Sequence, residues 1–224
     1  MTVRHHPEDD LILSYAAGSL AESWSLAIAA HLSHCPVCRG QVGVAESVGG
    51  ALLQDGVAEQ MAPDALDHVL EAIAGVEREA PIAVAAPSGP GSVLPPGSVL
   101  PKVVRDYIGG DLKDVPWQRL GRDADQYLIE TGDGEAQARL LRIRAGRPVP
   151  GHGHGGRELT LVLCGRFEDE LSSFGPGDLE DVDQETVHKP VAGFGEDCIC
   201  LAVTDAPLEF KELLPRLLQP ILKI

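Results

Sequence analysis

Residues 146–165 read GRPVPGHGHGGRELTLVLCG, and this stretch is the strongest indication of the fold. His152, His154 and Glu158 follow one another at offsets of two and four residues. Side chains alternate between the two faces of a strand, so even offsets place all three on one face of an extended segment. Two imidazoles and a carboxylate offer nitrogen and oxygen donors to a metal ion. The stretch therefore predicts a strand that carries a metal site.

The sequence around this stretch has the pattern of further strands. Short segments of alternating or continuous apolar residues, among them ARLLRIR (138–144), ELTLVLCG (158–165) and CICLAV (198–203), are separated by Gly, Pro and Asp. Such spacing is typical of short strands joined by turns. Seven or eight short strands without a strong helix predict an antiparallel barrel or jelly roll over residues 102–224.

The N-terminal part has a helical pattern instead. A first helix is predicted from Asp9 to about residue 17, ended by Gly18. Ser19 and Glu22 fit a capping box for a second helix, which runs to about residue 34. Pro36 suits the first turn of a third helix, where its missing N–H is not needed. A fourth helix, over about residues 64–79, has an apolar stripe of Leu66, Val69, Leu70, Ile73 and Val76.

A proline-rich segment separates the two parts. Residues 80–101 read APIAVAAPSGPGSVLPPGSVLP, with six prolines, no charged side chain and a tandem repeat of PGSVLP. Proline fixes φ and lacks the N–H donor, so neither a helix nor a central strand suits this composition. The predicted domains are therefore 1–79, which is helical, and 102–224, which is rich in strands, joined by a semi-rigid linker at 80–101.

A second cluster of possible metal ligands lies in HLSHCPVCRG, residues 31–40. His31, Cys35 and Cys38 are spaced by four and three residues, which places them together either on one face of a helix or in a tight knuckle that begins at Pro36. Zinc prefers four nitrogen or sulfur ligands in a tetrahedron. The fourth ligand is expected upstream, from one of two adjacent histidines, His5 and His6.

Redox chemistry is the alternative for the Cys-x-x-Cys pair, but no βαβ unit of the kind that carries such a motif is visible. The helical spacing of His31 also favours a metal site. His34 points about 90° away from the stripe of ligands if the helix continues, so it is expected at the surface.

Charge and composition limit the partners and the location. The net charge is −16, and residues 1–80 contain 3 basic and 12 acidic side chains. Phosphate repels such a surface, so a basic protein is a more natural partner than nucleic acid. The sequence contains no run of about 18 apolar residues, which a membrane span would require. The N-terminus also lacks the pattern of a signal peptide. We therefore expect a cytoplasmic protein with no direct nucleic acid or membrane partner.

The spacing Gly146-x5-His152-x-His154-x3-Glu158-x6-Gly165 matches the whole first motif of cupins, which this part of the chain resembles over about residues 105–210. In the second motif Gly177 and His188 fall at matching positions. Asp183, Glu185 and Ala192 replace the motif's proline, second glycine and terminal asparagine. The resemblance implies a β-barrel of cupin type and a metal site formed by His152, His154, Glu158 and His188.

The N-terminal part is similar to the zinc-binding anti-sigma domain. His31-x3-Cys35-x2-Cys38 follows a helix, with a histidine upstream. MTVRHH and AAGSLAE resemble ChrR-type anti-sigma factors in particular. That resemblance implies a helical unit of about four helices that binds zinc through His6, His31, Cys35 and Cys38. The choice of His6 over His5 comes from the resemblance alone. The fold class expected for the whole chain is therefore α+β with two domains, a zinc-binding helical bundle followed by a cupin barrel.

The two predicted sites differ in the metals they accept. A tetrahedral zinc with four protein ligands has no open position and is structural or regulatory. The ligands of the cupin site suit zinc, and they also suit Fe or Mn, which could keep two open positions in an octahedral shell. We therefore expect zinc in the N-terminal part and zinc or another divalent metal in the cupin part.

The combined resemblance implies a regulatory protein with no catalytic residues. It implies an anti-sigma factor that binds an extracytoplasmic-function (ECF) sigma factor in a 1:1 complex. Release would follow an oxidative signal, of singlet-oxygen or peroxide type, sensed with the cupin part. The alternative is a cupin metalloenzyme, a dioxygenase or isomerase, that carries a helical interaction module. The apolar stripe of the fourth helix is either bundle core, which is the default, or a sigma contact.

Three further cysteines lie in the strand-rich part. Cys198 and Cys200 share one face of a strand, where they are either small buried apolar residues or oxidisable thiols near the metal. Cys164 shares the parity of Glu158 and is expected to point inward with it.

Overall fold

The computed structural model describes residues 2–75, 98–132, 134 and 136–210. Five α-helices lie in these ranges: α1 (Asp9–Ala16), α2 (Glu22–His34), α3 (Pro36–Gln54), α4 (Ala65–Gly75) and α5 (Lys102–Ile108). A short 3-10 helix follows at Leu112–Asp114. The predicted order of a helical part followed by a strand-rich part is confirmed, with one more helix than the four expected.

Twelve strands follow in the described part of the chain: β1 (Gln118–Arg119), β2 (Ala124–Ile129), β3 (Gln137–Ile143), β4 (His152–His154), β5 (Glu158–Cys164), β6 (Phe167–Glu168), β7 (Ser173–Phe174), β8 (Leu179–Val182), β9 (Val187–His188), β10 (Val191–Ala192), β11 (Cys198–Thr204) and β12 (Leu208–Phe210). A six-stranded sheet has the order β1-β2-β3-β11-β5-β8. Two three-stranded sheets have the orders β10-β6-β7 and β12-β4-β9. All pairs of neighbouring strands in these sheets are antiparallel.

The three segments with the strongest strand pattern are β3, β5 and β11, which are neighbours in the middle of the large sheet. The strands are antiparallel as expected, and in the described residues they pair as three sheets that do not close into one hydrogen-bonded barrel. The six strands of the two small sheets are only two or three residues long and are separated by turns. Such short strands leave few backbone groups with which to continue one hydrogen-bonded ladder around the fold.

Residues 146–165 form two strands, where one extended segment was predicted. β4 ends at His154 and β5 begins at Glu158, with a turn at residues 155–157 between them. Asp205 explains Gly156 in this turn, because a Cβ atom there would clash with Asp205 Oδ1. The same oxygen accepts a hydrogen bond from the backbone N–H of Arg157 at 2.9 Å.

Helix α2 packs directly on the large sheet. It contacts α1, α5 and the strands β3, β5 and β11. Its sequence ESWSLAIAAHLSH is buried on most of its circumference, including Leu26, Ala27 and Ile28. A helix that is apolar on most sides is stable only where neighbours cover most sides. Helices α1, α2 and α5, the start of α3 and the large sheet therefore share one apolar core, which includes Leu140, Leu161 and Leu201.

The helix boundaries follow the sequence closely, except at the start of α2. Gly18 ends α1 in a left-handed conformation with φ of 68°, as its position predicted. The predicted capping box is wrong, since Ala21 is the N-cap of α2 and makes no side-chain hydrogen bond. Ser19 instead bonds back to the carbonyl of Ser14. The carboxylate of Glu22 accepts hydrogen bonds from residues distant in sequence, as described below.

Contacts divide the chain into two compact units, residues 1–46 with 94–224, and residues 47–93. The predicted domains 1–79 and 102–224 cut the chain elsewhere. Most of the predicted linker at 80–101 lies outside the described residues, so those boundaries stay a prediction. Within the first unit, Leu100 and Val104 are buried in the same core as α2.

Helix α4 belongs to the second unit and has no buried residue. Leu66, Val69, Leu70 and Ile73 are all more than half exposed, while Val76 lies outside the described residues. The default expectation that this stripe is core is therefore wrong for the described part of the helix. No described helix combines the length and apolar composition that crossing a bilayer requires.

Candidate metal centres

The first candidate centre, called the N-terminal group, consists of His6, His31, Cys35 and Cys38. Its donor atoms lie close together, with Cys38 Sγ 3.3 Å from His31 Nε2 and 3.4 Å from His6 Nδ1. Cys35 Sγ lies 3.4 Å from the same His6 nitrogen. The four donor atoms all lie within 4.8 Å of one another, as a group that could hold one metal ion. The structure thus brings together all four residues expected there.

The backbone explains why the two cysteines meet. Cys35 is extended, with φ of −107° and ψ of 104°, so α2 stops before it. Pro36 then begins α3, where a proline needs no hydrogen-bond partner for its nitrogen. The N–H of Cys38 in the first turn points at Cys35 Sγ, 3.4 Å away. The knuckle, rather than a continuous helix face, is the geometry of this group.

Burial keeps His31 and Cys38 of the N-terminal group uncharged. Burial lowers the pKa of His31 to about 4, which keeps the imidazole neutral. Its Nδ1–H donates to the carbonyl of Gly177 at 2.9 Å, so Nε2 keeps its lone pair for the sulfur side. Burial, with the neighbouring Cys35, raises the pKa of Cys38 to about 12. A bound cation would displace the thiol protons and offset the charge of the resulting thiolates, and this donor set fits a metal that prefers sulfur and nitrogen.

The other two histidines of this region have different contacts. His5 Nε2 lies 2.9 Å from Ser172 Oγ, and its ring packs on Phe174 with centroids 4.4 Å apart. The structure therefore brings His6, not His5, into the group. The expectation that His34 lies at the surface is wrong, because it is half-buried against Gly177 and burial lowers its pKa. His34 is nevertheless not one of the four clustered residues.

The second candidate centre, called the histidine group, consists of His152, His154 and His188. His188 Nε2 lies 3.1 Å from His154 Nε2 and 3.2 Å from His152 Nε2. The antiparallel pairing of β4 with β9 places His152 directly opposite His188. All three side chains are buried. Three imidazole nitrogens converge here, although the residues come from two parts of the sequence.

The outer nitrogens of two of these rings are bonded to acceptors. His152 Nδ1 donates to the carbonyl of Pro150 at 2.9 Å, and His188 Nδ1 donates to Asp169 Oδ2 at 2.8 Å. A histidine that binds a metal through one nitrogen commonly donates its other N–H in this way. The Nε2 atoms of His152 and His188 therefore face the shared point between the rings. This arrangement fits a metal ion with nitrogen ligands.

Glu158 lies beside the histidine group and is not one of its three clustered residues. Its Oε2 is 3.5 Å from His154 Nδ1, and its Oε1 accepts a hydrogen bond from Thr160 at 2.8 Å. Burial acts to raise the pKa of Glu158, but His154, His152 and Thr160 outweigh burial and lower it to about 2. The carboxylate is thus kept charged next to the three rings.

Two acidic residues near His188, Asp169 and Glu180, were not predicted from the sequence. Glu180 Oε1 lies 3.4 Å from His188 Nδ1, on the same side of the ring as Asp169. Burial and Asp169 raise the pKa of Glu180 to about 7, whereas Glu180 and Asp169 together raise the pKa of His188 to about 9 against the effect of burial. Glu180 of β8 lies opposite Thr160 of β5, and Thr160 lies on the same face as Glu158. The alternation of side chains that predicted the position of Glu158 could therefore have identified Glu180 as well.

The remaining cysteines lie on different sides of the large sheet. Cys198 and Cys200 are buried with their sulfurs 3.5 Å apart, in a small apolar cluster with Val162. The expectation that Cys164 points inward is wrong. A register shift where β5 pairs with β11 puts Cys164 opposite Ile199, on the side of the helices, with its Sγ 3.5 Å from Glu196 Oε2.

Comparisons with known proteins agree with this architecture. Residues 106–208 match the family described as the ChrR cupin-like domain. The chain is 46% identical over 225 residues to the anti-sigma-E factor ChrR of Cereibacter sphaeroides, with all of both chains covered. It is also similar to ChrR in a crystal structure of Rhodobacter sphaeroides SigE in complex with the anti-sigma ChrR. That match has 43% identity and a TM-score of 0.74 over 91% of this chain and 100% of the other. The chain belongs to the family of ChrR anti-sigma factors.

Proposed function

We propose that the protein is an anti-sigma factor that binds an ECF sigma factor in a 1:1 complex in the cytoplasm. The observation that carries this proposal is the similarity to ChrR over the full length of both chains, which includes the helical part as well as the cupin part. The related ChrR is described in complex with SigE. Family membership supports a regulatory role over the alternative of a cupin metalloenzyme.

The surface of the helical part suits such a partner. Residues 1–80 are strongly acidic, and a sigma factor must present basic surface to nucleic acid. The described residues of the apolar stripe, Leu66, Val69, Leu70 and Ile73, are exposed, and exposed apolar side chains that line one helix face mark a protein interaction site. We propose that this stripe contacts the sigma factor.

The N-terminal group is proposed to bind zinc through His6, His31, Cys35 and Cys38. Two sulfurs and two imidazole nitrogens are a usual ligand set for structural zinc. The support is the convergence of all four donor atoms, together with a neutral His31 that donates its other N–H to a carbonyl. Such a metal would stabilise the junction of α2 and α3, because closing a site that is absent from the unfolded chain contributes to the free energy of folding.

The cupin part, here residues 102–210, is proposed to hold a second divalent ion. His152, His154 and His188 would be ligands, with Glu158 as the fourth after a small movement from its position beside the rings. Imidazole and carboxylate suit zinc, and they also suit iron and manganese. We further propose that oxidation or altered ligation at this site, under a singlet-oxygen or peroxide-type signal, causes release of the sigma factor. We also propose that the chain has two domains, 1–79 and 102–224, which a linker at 80–101 joins.

Transcription in a purified system tests the function. The protein is purified with and without a co-expressed ECF sigma factor from its own genome, and each sample is added to a reaction with RNA polymerase and a cognate promoter. We expect a complex with one copy of each chain, and inhibition of the sigma-dependent transcript. Failure of every ECF sigma factor of the genome to bind or to be inhibited would refute the proposal.

Cysteine variants test the role of the N-terminal group in the same assay. Cys35→Ser and Cys38→Ser are expected to lose one equivalent of metal and most of the inhibition. Cys164→Ser is the matched control, since Cys164 lies outside both groups and should keep metal and inhibition. Release is tested separately with a triple alanine variant of His152, His154 and Glu158. If this variant binds sigma and still releases it normally on exposure to oxidant, the proposed sensing role of the cupin part is wrong.

A further inference from the structure

We propose that the turn between β7 and β8, residues 175–178 of the cupin part, positions two ligands of the N-terminal group. In this proposal Asp178 and the Gly177 carbonyl hold His6 and His31 in place, and the metal affinity of the N-terminal group depends on contact with this turn. The inference rests on the proposed metal binding of that group. Asp178 and Gly177 are positioning residues, because they reach the metal only through the ligands that they hold.

Asp178 fixes the backbone that leads directly to His6. Its Oδ1 accepts hydrogen bonds from the N–H of Arg4 at 2.6 Å and of His5 at 3.0 Å. The carbonyl of His5, which belongs to the peptide bond of His6, in turn accepts from the N–H of Leu179 at 3.2 Å. Consecutive backbone groups just before His6 are therefore all bound to one short piece of the cupin part.

The segment around His6 has no regular structure that could place this ligand otherwise. Residues 2–8 lie in neither a helix nor a strand, and α1 begins only at Asp9. An extended segment without its own hydrogen-bond ladder loses conformational entropy when one of its residues must bind a metal. Contacts that order the segment beforehand reduce that cost, so they are expected to raise metal affinity.

The side chain of His5 anchors the same segment a second time. Its Nε2 is within hydrogen-bond distance of Ser172 Oγ, and its ring packs on Phe174 in β7. The adjacent histidines thus have different tasks, since His5 docks on the cupin part while His6 faces the two sulfurs. This division also accounts for a pair of histidines where one ligand is required.

Gly177 acts on His31 from the other side of the group. Its carbonyl accepts the Nδ1–H of His31 at 2.9 Å, which orients the ring with Nε2 toward Cys38. Gly177 has φ of 89°, and a Cβ atom there would lie 2.9 Å from both His34 Cβ and Val3 Cγ2. Only glycine lets α2 and the N-terminal segment approach the turn this closely.

The β7–β8 turn is itself held by a buried side chain and its hydrogen bond. Asp178 is 5% exposed, and its Oδ2 accepts a hydrogen bond from the N–H of Gly175 at 2.9 Å, which closes the turn. The turn continues without a break into β8, where Glu180 contacts His188. One short stretch of the cupin part therefore touches the N-terminal group at one end and the histidine group at the other.

Cobalt binding to the full-length protein tests the proposal. Co²⁺ bound to thiolates gives a charge-transfer absorption that histidine and carboxylate ligands do not give, so the N-terminal group is observed separately from the histidine group. Affinity is measured by competition with a chelator, first for Co²⁺ and then for Zn²⁺. We expect Asp178→Ala to weaken metal binding at the N-terminal group by about 10–100-fold, as loss of an outer partner of a metal ligand usually does.

Two further variants separate positioning from general stability. Asp178→Asn keeps one acceptor oxygen, so it should serve either the N-terminal segment or Gly175 but not both, and we expect a smaller loss of affinity. Asp111→Ala is the matched control, because Asp111 accepts backbone hydrogen bonds from Leu112 and Leu100 but touches neither group. This control should lose stability on thermal unfolding yet keep the cobalt affinity of the wild type.

The cobalt affinities of the variants decide whether the β7–β8 turn positions the ligands. Wild-type cobalt affinity in a folded Asp178→Ala variant would overturn the proposal, and so would an equal loss of affinity in Asp111→Ala. If Asp178→Ala does not fold, Asp178→Asn decides, and a wild-type affinity there would also overturn it. If the wild-type protein shows no thiolate–cobalt absorption, or keeps it when both Cys35 and Cys38 are changed to serine, the proposed metal site itself fails, which is a different result.

Discussion

Asp169 Oδ2 lies 2.8 Å from His188 Nδ1, on the side of the ring away from His152 and His154. The other oxygen of Asp169 accepts the backbone N–H groups of Leu171 and Ser172. The carboxylate therefore requires the proton of a neutral His188 on Nδ1, which leaves the Nε2 lone pair for a metal. In Asp169→Asn the amide would present N–H groups to Nδ1 and favour the opposite tautomer.

We therefore expect Asp169→Asn to weaken metal binding in the cupin part by about 10–100-fold. Isothermal titration with Zn²⁺ and Mn²⁺ measures this, while the thiolate–cobalt absorption of the N-terminal group should not change. Asp183→Asn is the control, because Asp183 makes a similar turn with Glu185 and Thr186 but contacts no imidazole. Equal affinities in Asp169→Asn and the wild type would show that the contact does not orient His188.

Arg157 joins the first helix to the strand-rich part through three carboxylates. It makes two hydrogen bonds to Asp181 of β8, at 2.6 and 2.8 Å, and one to Asp10 of α1 at 2.9 Å. Glu8 lies 3.5 Å from the same guanidinium. Charge-assisted, bidentate contacts of this kind exceed an ordinary surface ion pair. We expect Arg157→Ala to lower the free energy of unfolding by about 1–2 kcal/mol, as measured in urea.

The effect of Arg157 should depend on pH. The hydrogen bond from Arg157 holds the pKa of Asp10 below its ordinary value of 3.8. A carboxyl group whose pKa is lower in the folded state adds stability above its unfolded pKa, and this stability is lost as the pH falls through the folded pKa. The difference in stability between the wild type and Arg157→Ala should therefore be constant near neutral pH and shrink below about pH 3.8. A difference that grows on acidification would contradict the assigned ion pair.

Local sequence patterns predicted most individual elements but not how the parts pack together. Apolar periodicity and the positions of Gly18 and Pro36 located α1, α2 and the start of α3 within a few residues. The capping box failed because a tertiary contact replaced it. The Glu22 carboxylate accepts hydrogen bonds from Tyr107 and Gly132, which a local motif cannot reveal. The packing of α2 on the sheet also leaves no local signal, since an apolar face does not identify the surface that covers it.

The alternation of side chains along a strand predicted on which side of the sheet a residue lies only where the pairing of the strands is regular. Glu158 and Thr160 share one face as the period of two requires. The same count failed at Cys164, because the register shift in the pairing with β11 adds a residue and moves Cys164 to the side of the helices. The bulge is one extra residue in β5, and only the pairing of the two strands reveals it. The residues around His188 were missed for a related reason, since Asp169 reaches the ring from a loop that precedes β7.

The reactivity of the cysteines tests on which side of the sheet Cys164 lies. Cys164 is partly exposed, whereas Cys35, Cys38, Cys198 and Cys200 are buried. We expect iodoacetamide to modify Cys164 first in the native protein and the other four only on unfolding. Burial and Glu196 raise the pKa of Cys164, so its labelling should be slow at neutral pH and accelerate as the pH rises.

Mass spectrometry of peptides from timed samples measures the order of modification. Cys164→Ser is the control and should remove the early product. Equally early modification of Cys198 and Cys200 would show that the small cluster that contains them opens in the native state.

The exposed stripe of α4 gives the sharpest test of the partner surface. Leu66 and Ile73 are 66% and 65% exposed, so a charged residue at either position costs little in folding. If the stripe binds the sigma factor, Leu66→Glu or Ile73→Glu buries a charge in the interface and should weaken binding about 30-fold or more. Phe194→Glu is the matched control, because Phe194 is 84% exposed on the cupin part. Titration of a labelled sigma factor measures the binding affinity of all three variants. Unchanged affinity in the two α4 variants, with thermal unfolding like the wild type, would exclude this stripe as the sigma contact.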